Sequence, residues 1–363
     1  MRRIAIIAGV VLLLAVCGIL FVSAQMERKT SDAPVKVGMV MIGTRENSSW
    51  NASHWQGIQD TAQQLNLALD CEENVSTEDC PQVLDKMVRN GCRIIISTSI
   101  DFKKAVDEAA QSHPEIYFFQ ATGTQSHGNL SSYMGRMYQM RYLAGLAAGR
   151  QTKTHCVGYV TTMPIPEVVR GIDAFTLGVR KADPEATVYV KYTQDWSDDA
   201  KARQATTALL DTQPQIDVLG MHLDTYGPLE IAEQRGVYSI GCNTAERTRC
   251  PQTFLTATVW NWSIFYTKYV REALNNKFAG TSYLVGADTG IVSLAPLEHS
   301  GNPDIAQFIA NEKGRLVNGE YDVFYGPIRD TAGQLRVAAG ENLSDKTLFE
   351  ELDWYVEGVV VLP

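Results

Sequence analysis

Eight short apolar runs alternate with stretches of helical pattern along this chain, and that alternation limits the folds open to it more than any other feature. The runs lie at 35–43, 67–71, 93–98, 115–121, 156–161, 187–192, 216–221 and 237–241, with helical pattern at 53–65, 80–90, 101–112, 166–182, 198–211 and 227–235. Continuous apolar runs of this length suit strands buried on both faces. Strand and helix in strict alternation build parallel sheets covered by helices, and no fixed period points to a solenoid. Pro81 at the start of one helix, Gly91 beyond its end and Gly236 beyond another supply the usual asymmetry of helix termini. The fold class expected is α/β, with two doubly wound units.

Arg2 and Arg3 precede a nearly unbroken apolar run from Ile4 to Val22 that closes with Val22-Ser23-Ala24. This is the pattern of an export signal, with small residues placed for cleavage after Ala24. The run is also close to the ~20 residues that span a bilayer, so residues 1–24 can be read as a retained anchor. Leu14-Ala15-Val16-Cys17 approaches a lipobox, but Val16 is bulky where a small residue is wanted and apolar residues continue past Cys17. All three readings place the rest of the chain outside the cytoplasm.

Beyond the leader the chain is long enough for two lobes of about 150 residues each. The first lobe is expected over 35–138 with a return at about 260–300, and the second over 153–258. YQMRYLAGLAAGRQT, 138–152, links them through a helix whose Ala and Gly content allows close packing; pattern does not decide which lobe 301–363 joins. A net charge of −9 with 45% hydrophobic residues and no long basic run excludes nucleic acid and anionic membrane surfaces as partners. Contact with a membrane is expected through the N-terminal segment alone, and the protein is expected to be a monomer. Six cysteines lie beyond the leader. In an exported chain Cys71 with Cys80, and Cys242 with Cys250, are expected to close short loops as disulfides, while Cys92 and Cys156 open strands and are expected to remain thiols.

Catalytic machinery is hard to find. The chain has no GxSxG elbow, HExxH, CxxC or Gly-rich phosphate loop, and its six histidines lack ligand spacing, so no enzyme, cofactor or metal site is expected. Aromatic and amide residues recur instead at strand ends, where the ligand crevice of a parallel sheet lies. Ser49, Trp50 and Asn51 follow the first strand, Trp196 follows the run at 187–192, His222 and Asp224 follow the next, and Trp262 lies where the chain can recross. Aromatic faces sandwich a flat heterocycle and polar groups read its edge, which points to a nucleobase-like or similarly planar ligand.

ENSSWNASHWQG, RYLAGLAAG, VGYVTTMPIPEVVRGIDAFTLGVRKADP, the Trp196 segment and TATVWNW, in that order, resemble the basic membrane protein family of solute-binding proteins. That family serves ABC importers and includes purine-nucleoside-binding lipoproteins. The resemblance implies a type I periplasmic-binding fold, two α/β lobes joined by a hinge, with an ABC transporter permease as partner. It assigns Trp50 and Trp196 to a clamp from opposite lobes, with Asn51 beside the first. Nucleoside binders of the family carry carboxylates where this chain has Thr122 and Asn243, and a crossover lysine where it reads VWNW. These departures favour a free purine base, adenine first, over a nucleoside. His222, Asp224 and Asp288 are then expected near the base edge. An anchored sensor acting through another chain, or less readily an enzyme of nucleobases or nucleosides, are the alternative readings.

Overall fold

The computed structural model describes residues 33–123, 125–300 and 303–363. Among these no helix is long and apolar enough to cross a membrane, and the expected leader with Cys17 lies outside them. Each of the eight apolar runs forms a strand. In the first lobe β1 (Val35–Val40), β2 (Leu67–Glu72), β3 (Cys92–Ser97) and β4 (Tyr117–Ala121) alternate with α1 (Ser49–Leu65), α2 (Cys80–Arg89) and α3 (Lys103–Ser112). Two more strands, β5 (Leu130–Gly135) and β11 (Tyr283–Val285), complete a parallel sheet of order β2-β1-β3-β4-β5-β11.

The second lobe repeats the winding. Its strands β6 (Cys156–Thr161), β7 (Thr187–Tyr192), β8 (Val218–His222), β9 (Tyr238–Asn243) and β10 (Phe254–Trp260) alternate with α5 (Pro166–Ala182), α6 (Asp199–Thr212) and α7 (Gly227–Arg235). Sheet order is β12-β10-β9-β8-β6-β7-β15, with β12 (Val292–Leu294) antiparallel at one edge and β15 (Val359–Val361) parallel at the other. In both sheets the chain order reverses beside the first strand, so the crevices at the strands' C-terminal ends face each other.

Three segments cross between the sheets. The first is α4 (Met137–Gln151), buried along nearly its whole length against α5. The second passes Asn261 into α8 (Trp262–Leu274), which packs on α1. The third, between β11 and β12, corrects the expectation that the chain stays with the first lobe to about residue 300. Asn261 Nδ2 donates to Gly290 O (2.8 Å) and Ser293 Oγ (3.0 Å), which holds the returning strand beside β10.

The tail joins the second sheet. After α9 (Pro303–Val317) and a small hairpin of β13 (Ile328–Arg329) and β14 (Leu335–Val337), it ends in β15 on the β7 edge. Val356 N donates to the buried Asp173 (3.0 Å) on α5, and Arg136 forks onto Asp345 at 2.6 and 2.7 Å.

The six cysteines among the described residues are free, which corrects both expected disulfides. Cys71 packs against the large core that runs between the lobes, whereas Cys80 lies in the separate core beneath α2 and α3. Cys242 turns inward to accept from Arg141 Nη2 (3.6 Å), and Cys250 donates to Glu246 O (3.7 Å).

Candidate functional site

A cavity of about 660 Å³ lies between the lobes at the C-terminal ends of both sheets. Its first wall is built by the start of α1. Ser48 Oγ accepts from Asn51 N (3.3 Å), so the helix begins at Ser49 and takes Trp50 and Asn51, expected in the preceding loop, into its first turn. Trp50 Nε1 donates to Thr98 O (2.8 Å) and Thr98 Oγ1 donates to Asn51 Oδ1 (3.3 Å), fixing both on the end of β3. Behind Trp50, the rings of Trp260, Trp262 and His54 form a parallel stack with 4.5 Å between neighbours. Trp50 meets Trp260 edge-on at 5.7 Å and 83°. The neighbouring wall holds Thr122 at φ 58°, a left-handed conformation that is unusual for a β-branched residue. Gln194 (φ 61°) and Asn243 (φ 66°) repeat this conformation on the second lobe's side. Strain of this kind is concentrated where a binding surface over-determines the backbone. Thr122→Gly is expected to stabilise the ligand-free protein by about 1 kcal/mol; an unchanged or lower Tm would show that Thr122 carries no strain.

The second wall is the loop after β7. Asp195 Oδ1 accepts from Ser197 N and Asp198 N (3.1 Å each), and Asp198 caps α6, so Trp196 is carried on a braced turn. Its ring meets His222 edge-on at 5.1 Å and 68°. Burial, reinforced by the charges of Arg141 and Arg170, holds the His222 imidazole well below its usual range, so it is neutral at pH 7.

The lobes touch beside the cavity through a small polar knot. Asn243 Nδ2 donates to Ser49 Oγ and to Asp224 Oδ1 (3.1 Å each), Trp260 Nε1 donates to Asn243 Oδ1 (2.9 Å), and Ser49 N donates to Asp224 O (2.7 Å). Burial, aided by Glu167 and opposed by Asn243 and Arg141, pushes the Asp224 carboxyl up to about 7. A carboxyl raised in the fold loses stability as pH rises from its unfolded value near 3.8, where the unfolded chain sheds its proton first, and the loss levels off above about 7. Asp224→Asn is therefore expected to gain Tm over the parent chain at pH 7.5 and to match it near pH 4. A constant difference across that window in urea or thermal unfolding would sink the assignment.

Of the residues singled out from sequence, Trp50, Asn51, Thr122, Trp196, His222, Asp224 and Asn243 line the cavity. Three lie off it. Ser49 is buried in the inter-lobe knot. Trp262 is fully buried, donating Nε1 to Ser53 Oγ (3.2 Å), and Trp260 two residues earlier forms the wall in its place. Asp288 is exposed in the turn between β11 and β12.

Sequence reasoning missed Arg141 of α4, Glu167 and Arg170 of α5, and Phe349 of the tail, all on the cavity wall. Arg141 was visible as the single charge of an otherwise apolar helical stretch, RYLAGLAAG, and Arg170 as the single cation of PEVVRGIDAF, between Glu167 and Asp173. A buried arginine normally has a partner, so such a charge is worth placing first. Phe349 follows a polar loop and carried no comparable signal.

The geometry is that of two α/β lobes facing each other across one cavity lined by both. Residues 34–319 match the family described as ABC transporter substrate-binding protein PnrA-like, Bmp. A purine-binding protein of Brucella abortus is 30% identical over 333 residues, covering 91% of this chain and 94% of its own length. A putative ABC transporter glucose-binding protein of Haloferax volcanii is 30% identical over 326 residues, covering 90% of this chain and 80% of its own. A solved ABC transporter solute-binding protein from Conexibacter woesei shares the fold with a TM-score of 0.69 at 19% identity, covering 79% of this chain and 98% of that one. The chain belongs to the Bmp family of extracytoplasmic, non-enzymatic substrate-binding proteins, which bind a small molecule and partner the permease of an ABC transporter.

Proposed function

We propose that this protein delivers a purine to its importer, that the purine is bound as the free base, and that it acts as a monomer. The observation that carries the reading is the pair of indoles, Trp50 and Trp196, on opposite walls of one cavity of about 660 Å³. Stacking on both faces of a heterocycle links ligand capture to lobe closure, because neither wall alone makes both contacts. The volume admits a base or a nucleoside. At the two positions where the resemblance puts ribose-reading carboxylates, Thr122 spends its hydroxyl on Ala121 O (2.6 Å) and Asn243 spends its amide on the inter-lobe knot. Adenine was the base expected from sequence alone; the polar groups along the cavity wall bear on that choice. The purine-binding relative in Brucella abortus supports the reading, and the glucose-binding name of the Haloferax relative makes a hexose the competitor to exclude.

Native mass spectrometry of the gently purified protein, followed by denaturation and identification of the released solute, tests this directly. A purine base at near one-to-one stoichiometry is expected. Release of a nucleoside would refute the base assignment, and release of glucose would refute the purine. For the leader, cleavage after Ala24 is proposed, giving an exported protein whose intact mass begins at Gln25. A mass that includes residues 1–24 would favour the anchored form.

A further inference from the structure

Two guanidinium groups stand in the wall of the cavity without a carboxylate partner. Arg141 and Arg170 are each 5% exposed, and neither lies within 4.0 Å of an Asp or Glu oxygen among the described residues. Every group that holds them is neutral. Arg141 Nη1 donates to Tyr159 Oη (3.2 Å) and Met221 O (3.4 Å), and Nη2 donates to Cys242 Sγ. Arg170 Nη1 donates to Leu348 O (2.7 Å), and its guanidinium lies 3.9 Å from the centre of the Phe349 ring. The last two contacts come from the tail, beyond residue 319 where the family match ends. Leu348 and Phe349 belong to a helical turn, Thr347–Glu351, that rests on α5 and is tied down by the Arg136–Asp345 pair.

Burying one unpaired cation is costly, and burying two in one cavity is more so. Tyrosine and cysteine side chains, carbonyls and a ring face orient these guanidiniums, and Glu167 offsets their charge only from a distance. Glu167, on the same wall, pairs with neither arginine within 4.0 Å. A bound molecule that brings carbonyl oxygen or negative charge would complete both sites, and its affinity would be strengthened by the water-poor setting.

Resting on the purine reading above, we infer that Arg141 and Arg170 form an oxygen-reading subsite and that the ligand is an oxopurine. The forked guanidinium matches the O6 and N7 acceptors along one edge of a 6-oxopurine, whereas the same edge of adenine presents an amino donor that suits an amide better. Further ring carbonyls acidify the purine and add negative charge, which two fixed cations reward. The tail thereby becomes part of the specificity: it sets the angle of Arg170, and Phe349 closes the wall beside it.

Ligand-stripped full-length protein titrated by calorimetry with hypoxanthine, xanthine and adenine tests the inference. At least one oxopurine is expected to bind tenfold or more tighter than adenine. Arg170→Gln is expected to weaken the preferred oxopurine by tenfold or more while moving adenine by less than about threefold, with the far-ultraviolet spectrum preserved. If Arg170→Gln does not fold, the ratio in the parent chain still decides. Adenine bound as tightly as both oxopurines would overturn this inference and leave the purine reading standing. Failure of all three bases to bind would overturn the purine reading itself and the oxopurine subsite with it.

Discussion

Gly145→Val is expected to cost about 3 kcal/mol of folding free energy, at the upper end for overpacking, and to reduce the yield of folded protein sharply. A Cβ at Gly145 would stand 2.0 Å from the carbonyl oxygen of Phe175, and one at Gly178 would meet the carbonyl of Tyr142 at the same distance. The obstacles are backbone atoms of the facing helix, so no rotamer change relieves them. The α4–α5 contact is also where the chain first crosses between lobes, and Arg141 and Arg170 project from these two helices. Forcing the helices apart should therefore shift the ligand wall as well as the core. Gly314→Ala is the control: this glycine lies in α9 with open space around its Cα, and the change is expected to stabilise by about 0.5 to 1 kcal/mol. Urea unfolding of both variants measures the contrast. Equal midpoints for Gly145→Val and the parent chain would show that the helices can separate freely.

Trp196→Ala should weaken ligand binding by about 1 to 3 kcal/mol, roughly five- to 150-fold, with little loss of stability. Trp196 is half-buried on a turn whose hydrogen bonds run through Asp195 and Asp198, so removing the indole leaves the turn braced. Trp50→Ala should lose a similar amount of affinity and also some stability, because its indole donates to Thr98 O and covers the Trp260–Trp262 stack. The two positions thus separate by their unfolding behaviour although their binding defects agree. Trp262→Phe, behind the wall, is expected to keep the dissociation constant within about threefold. Unchanged affinity in both alanine variants would remove the clamp from the mechanism of ligand capture.

Much of the fold is legible in the amino-acid sequence, for an identifiable reason. Strand runs such as VKVGMV and CRIIIS are largely apolar on both faces beyond Lys36 and Arg93 near their starts, so the burial of the remainder follows from composition. The strand ends and the loops after them then have to carry Trp196, His222 and Asp224 to the crevice, because parallel winding places all such ends on one side. Two main strands escape the same logic. In β5, LSSYMG, Ser131 and Ser132 are buried, and in β10, FLTATVW, Thr256 and Thr258 are. Their hydroxyl-bearing residues hide the apolar signature. Part of that polarity is absorbed by partners distant in sequence: Ser132 Oγ bonds with Ser282 Oγ (2.7 Å), and Thr256 Oγ1 donates to Ala295 O (2.7 Å).

The class of fold, the side on which a ligand enters and most of the aromatic wall are written in local sequence, since they depend on periodicity and on loops adjacent to strands. Which tryptophan of VWNW faces the cavity is a matter of tertiary packing, because one strand end separates Trp260 on the wall from Trp262 in the stack behind it. Packing also placed the cysteines among neighbours that leave the expected bridges unformed, sent β12 and β15 to opposite edges of one sheet, and buried two arginines beside a phenylalanine from the tail. Each of these outcomes depends on contacts between residues far apart in the chain, and the energy of a buried charge or thiol is set by such neighbours rather than by its own segment.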